Sequence, residues 1–110
     1  ASKQVADGKQ LCCGRTYLAS GMVDEAKVKA SELVEALRPL VPQGATMAEL
    51  ALRWILMEQA VTVVIPGAKN PAQVQANVKA DALAALSPET MAAARDIYRR
   101  LIAPHVDHLW

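Results

Sequence analysis

The segment Val64-Ile65-Pro66-Gly67-Ala68-Lys69-Asn70-Pro71 carries the residue types best suited to holding an anion. An apolar, β-branched run ends there and a helix start follows within a few residues. Gly67 and Ala68 are small, so the backbone can approach a ligand closely. A helix start presents unpaired N–H groups and the positive end of the helix dipole, which suit a phosphate. Lys69 adds a mobile cation. On residue types alone the same segment also reads as an ordinary connection between a strand and a helix, and that is the commoner reading.

Other side chains with reactive potential have less around them. Cys12 and Cys13 are adjacent and lie between Gly8 and Gly14. Neighbouring cysteines rarely bridge each other, so no disulfide framework is implied and a reducing cytoplasm is expected. A nucleophilic thiol needs a base beside it. No histidine is fixed near this pair, and two small apolar residues are the plainer reading. His105 and His108, with Asp107, could bind a metal if the tail is helical, since positions three apart share a face, but no third strong ligand is visible. A solvated tail and no metal are expected. Trp54 and Tyr98 fall on the apolar faces of helices, which favours core packing over base stacking.

The elements that must position these residues follow from composition and periodicity. The chain has 110 residues, 53% of them hydrophobic and 21% charged, which is the composition of a globular domain rather than a disordered one. Twelve basic residues against eleven acidic ones give a net charge of +1, with no basic stripe for nucleic acid. No apolar run approaches the length of a membrane span. Residues 1–22 read as an irregular leader punctuated by Gly14 and Gly21. A helix is expected over about 24–38, with Asp24 as N-cap and Pro39 ending it. Thr46-Met47-Ala48-Glu49 has the form of a capping box and opens a helix over about 46–58, apolar around most of its circumference. Glu49 and Arg53 stand one turn apart and can pair on its polar face.

Val61-Thr62-Val63-Val64-Ile65 is almost wholly β-branched and reads as one strand covered on both faces. A lone strand leaves its backbone N–H and C=O groups unpaired. It must pair with another chain, pair with the leader, or adopt a different conformation. Asn70-Pro71-Ala72-Gln73 then opens a helix to about residue 80, with Asn70 as N-cap and Gln73 placed to bond back. Ser87-Pro88-Glu89 opens the last helix, over about 88–101. Leu86 and Met91 are spaced for a hydrophobic staple across its start.

Residues 44–56 and 61–77, together with Leu86-Ser87-Pro88-Glu89, resemble the aldo-keto reductase family. The likeness runs over roughly residues 33–101 and is not visible in residues 1–22. What it implies is the C-terminal third of a (β/α)8 barrel that binds NADP(H): the seventh barrel helix, eighth strand, eighth helix and terminal helix. By resemblance, Gly67, Ala68, Lys69 and Asn70 form the loop that holds the adenosine 2′-phosphate end of the cofactor. Gln73 stands where many members place an Arg against the 2′-phosphate or adenine, and Asn77 where members often keep an adenine-contacting Asn. Many members carry Lys-Ser where this chain has Gly67-Ala68, so the choice between NADPH and NADH stays open. The family's catalytic Asp, Tyr, Lys and His have no counterparts in this sequence, and no catalytic residue is assigned.

The expected fold is mainly α: four helices with at most one short strand, like the last α-β-α-α segment of such a barrel. The alternative is an α/β arrangement with the strand paired across an oligomer. Two regions are expected, a leader over 1–22 and a reductase-like segment over 23–110. The expected function is that of a truncated relative of NAD(P)H-dependent carbonyl oxidoreductases, retaining at most weak nucleotide binding alone. The alternative is a free-standing helical homo-oligomer, most simply a dimer, with a repurposed ligand-binding or hydrolytic activity. Neither nucleic acid nor membrane is an expected partner.

Overall fold

The computed structural model describes residues 15–109. Among them the secondary structure is helical throughout, with no strand. The order is α1 (Arg15–Ala19), α2 (Val23–Leu37), a 3-10 turn (Arg38–Leu40), α3 (Met47–Leu56), α4 (Pro71–Lys79), a 3-10 turn (Ala80–Ala82), α5 (Pro88–Leu101), α6 (Ala103–Val106) and a final 3-10 turn (Asp107–Leu109). The chain divides into two compact units, one of residues 37–95 and one that takes in the described residues 15–36 and 96–109.

The unit of residues 37–95 holds the candidate site. Gly44, at φ 77, turns the chain into α3 in the left-handed region where a side chain would be strained. Thr46 then caps α3. Its hydroxyl accepts the Glu49 N–H at 3.2 Å, and the Glu49 carboxylate accepts the Thr46 N–H at 3.0 Å, which completes the capping box. Glu49 is only 3% exposed, and its second oxygen lies 3.9 Å from the Lys79 ammonium at the end of α4. The Glu49–Arg53 pair expected from helical spacing therefore does not form. The cap and Lys79 occupy the carboxylate, and Arg53 Nε is buried with no hydrogen-bond partner among the described residues. α3 packs against α4 and the 3-10 turn that follows it, where Leu50 and Ala80 are buried.

Residues 61–65 do not form a strand. After Val61 donates to Glu58 O at 3.0 Å, no backbone hydrogen bond involves Thr62, Val63, Val64 or Ile65 among the described residues. The physical reason is the one the sequence raises: no second strand lies within the described chain to complete a ladder. Val63 is 67% exposed and Ile65 91% exposed. α5 is opened by Ser87, whose hydroxyl accepts the Thr90 N–H at 3.1 Å. Leu86, just before it, is buried and Met91 is half-buried.

In the other unit, Arg15–Ala19 forms a short helix inside the stretch read as irregular, while residues before 15, Cys12 and Cys13 among them, lie outside the described residues. α2 begins at Val23, so Asp24 is not its N-cap. Asp24 and Glu25 sit in the first turn, where carboxylates complement the helix dipole. Ala26 and Ile97 are the buried apolar residues of this unit.

Candidate nucleotide-binding loop

The loop of residues 66–70 is fixed by the helix it leads into. Asn70 is in extended conformation (φ −154, ψ 165) and caps α4, with Pro71 at the first helical position. Asn70 Oδ1 accepts the Gln73 N–H at 3.0 Å and Asn70 O accepts the Val74 N–H at 3.3 Å. Gln73 bonds back one residue further than a capping box does: its Oε1 accepts the Lys69 N–H at 2.6 Å. One turn on, Asn77 Nδ2 donates to Gly67 O at 3.2 Å. Three side chains of the helix and its cap thus hold the loop backbone, without a sheet.

At the helix start the Asn70 side chain takes the orphan N–H of Gln73, proline removes another, and the Val74 N–H makes the first intrahelical bond. The Ala72 N–H has no partner among the described residues. Lys69 Nζ likewise makes no ion pair or hydrogen bond among them. A Cβ placed on Gly67 would meet no atom within 4 Å, so the loop faces open space there. The site therefore offers an N–H at the positive end of a helix dipole, a free ammonium, and the unused amide groups of Gln73 and Asn77.

Beside the loop lies a groove of about 420 Å³, walled by Leu52 and Leu56 of α3, Val63 and Val64, and Val74 and Val78 of α4. Ala68 and Asn77 reach its lining, as does Asp81. The remaining candidates, Gly67, Lys69, Asn70 and Gln73, stand on the loop and the helix start rather than in the groove. Asp81 is a residue that sequence reasoning missed. It lies one helical turn past Asn77, and that spacing is the signal that places both on one groove. Its negative charge sets the groove end apart from the cationic loop end.

The aromatic residues expected in the core are not there. Trp54 is 44% exposed and Tyr98 42% exposed. The Tyr98 hydroxyl reaches past the end of α5 and donates to Asp107 Oδ1 at 2.5 Å. A polar partner within reach explains why the ring stays at the surface. Asp107 is thereby engaged and His108 is exposed. Among the described residues no group of three His, Cys, Asp or Glu side chains comes together, and no helix is long and apolar enough to cross a membrane.

Searches against curated proteins and against solved structures find no match. A family model does match: that of the aldo/keto reductase family, over residues 8–99. The match reaches well into the stretch of residues 1–22 that shows no visible likeness by motif, so the likeness extends further toward the N-terminus than the motifs indicate. Because it spans most of the 110 residues and takes in the loop, α3, α4 and nearly all of α5, this chain belongs to the aldo/keto reductase family.

Proposed function

We propose that this chain corresponds to the C-terminal part of the family's barrel and supplies the loop that holds the adenosine 2′-phosphate end of NADP(H). The reading rests on one observation above others: Asn70, Gln73 and Asn77 tie residues 67–70 to α4, so the loop is preorganised next to the helix start. Preorganised donors lose less on binding an anion than mobile ones do. The Ala72 N–H and the Lys69 ammonium are available to the phosphate. Gln73 Nε2 and Asn77 Oδ1 remain open to the sugar and base, since each uses only its other amide atom on the loop. The residues fit the cofactor's anionic end, with a lower cation count than the family's usual loop. When bound, the cofactor supplies hydride for carbonyl reduction. The role of this chain is to bind and orient the nucleotide end.

The test is a titration of the 110-residue chain with NADPH, followed by cofactor fluorescence, with NADH in parallel. Saturable binding of NADPH that is tighter than that of NADH supports the assignment. No response at millimolar NADPH rejects it.

A further inference from the structure

The last bond of α5 runs from the Ile102 N–H to Tyr98 O at 2.9 Å, but Ile102 itself sits at φ −120, ψ −54, outside helical geometry. Pro104 then stands in the first turn of α6, where its missing N–H bars continuation of α5. A backbone break at the end of an element is where a hinge absorbs its rotation. Beyond the break, α6 has four residues and no side-chain cap, and the Asp107 N–H donates to Ala103 O, joining α6 to the final 3-10 turn. A single helical turn has little stability of its own, because the cost of nucleation outweighs its few bonds. Residues 103–109 therefore need a tie from outside to stay folded. The Tyr98 hydroxyl supplies one, donating to Asp107 Oδ1 across nine residues of chain. Both partners are exposed, and the bond rests on a single phenol proton.

We propose that residues 103–109 form a strap, hinged at Ile102 and latched to α5 by the hydrogen bond from Tyr98 to Asp107. Closed, the latch keeps α6 and the last turn folded at the end of α5. Opened, the strap frays from Ile102 outward while α5 keeps its own ladder of backbone bonds. The neighbouring pair of Asp96 and Arg100, at 2.6 Å, lies wholly on α5 and does not cross the hinge, so it is no substitute for the latch. The latch has one donor, and loss of the phenol O–H opens it. The inference does not depend on nucleotide binding, and its test uses no cofactor.

Amide hydrogen exchange of the full 110-residue chain, resolved by residue with NMR and read as protection factors, reports on the latch. Two amides bracket the hinge: that of Asp107, bonded to Ala103 O, and that of Ile102, bonded to Tyr98 O on the α5 side. Tyr98→Phe keeps the ring and removes only the donor. It should lower protection at Asp107 by about five- to tenfold, the factor of one hydrogen bond to a charged acceptor at a solvated site, and leave Ile102 unchanged. Asp107→Asn, which keeps an acceptor oxygen, should lose less protection at residue 107 than Asp107→Ala does. The Tyr98→Phe/Asp107→Ala double variant should be no worse than its worse parent, since all three lose the same contact. Unchanged protection at Asp107 in Tyr98→Phe overturns the proposal. So does a loss spread evenly over α3 and α5, which marks general destabilisation, and so do losses that add in the double variant.

Discussion

Replacing Glu49 by alanine should destabilise the unit of residues 37–95 by about 2 kcal/mol, and the structure says where that comes from. The side chain is 3% exposed and accepts the Thr46 N–H at 3.0 Å, a bond worth about 0.5–1.5 kcal/mol. A carboxylate in the first turn gains about 0.3–1 kcal/mol from the helix dipole. Removing one buried methylene costs about 0.8 kcal/mol. The contact with Lys79 adds little, because the pair is 3.9 Å apart and the lysine side chain is 60% exposed, so its share is below about 1 kcal/mol. Three variants separate the contributions. Glu49→Ala should cost about 2 kcal/mol, Glu49→Gln, which keeps the acceptor but not the charge, about 1 kcal/mol, and Lys79→Ala less than about 0.5 kcal/mol. Urea denaturation followed by circular dichroism measures each. The Thr46→Ala/Glu49→Ala double variant should cost less than the sum of its parts, because the two bonds belong to one cap. If Lys79→Ala proves as damaging as Glu49→Ala, the ion pair dominates and the reasoning from the cap is wrong.

Three further outcomes follow from the geometry. Gly44→Ala should cost about 1 kcal/mol in the same denaturation assay through the strain of φ 77, since a Cβ there has open space and no clash to add. Lys69→Ala should weaken NADPH binding about two- to fivefold and leave NADH binding unchanged, read by fluorescence titration; an equal loss for both would place Lys69 away from the 2′-phosphate. The hydrogen bond to Asp107, with smaller contributions from desolvation and the carboxylate's charge, holds the Tyr98 phenol above its ordinary pKa of 10.0. A raised pKa in the folded state means the proton is held more tightly there, so this contribution to stability is complete below pH 10 and fades as pH rises through the folded value. In a Tyr17→Phe background, ultraviolet titration of Tyr98 should shift downward on Asp107→Asn, and an unmoved curve would show that the contact is not made in solution.

The helices were legible because their ends are chemically marked. The reading of 46–58 rests on Thr46 and Glu49, that of 71–80 on Asn70-Pro71, and that of 88–101 on Ser87-Pro88; the observed helices are Met47–Leu56, Pro71–Lys79 and Pro88–Leu101. The candidate loop was legible as a place, and the backward reach of Gln73 was anticipated, though its partner is Lys69 rather than the cap residue. What periodicity could not reveal was competition for one group. Glu49 has two suitors at helical spacing, Thr46 and Arg53, and a third, Lys79, from another helix; only the folded chain decides among them. Residues 61–65 expose the same limit from the other side. Their β-branched composition states a preference for pairing, but a strand exists only where a neighbour supplies the other half of the ladder. Trp54 and Tyr98 lie partly exposed on apolar stripes, because such a stripe does not say which of its members the core has room for.

The tethers of the candidate loop have a consequence for how the site can be moved. Among the described residues, every hydrogen bond that shapes it runs between Gly67 and Asn77, and none comes from a neighbouring strand. The loop is thus a self-contained cassette that keeps its form wherever the helix beneath it is kept folded. Host scaffolds that supply such a helix could accept it as one continuous graft.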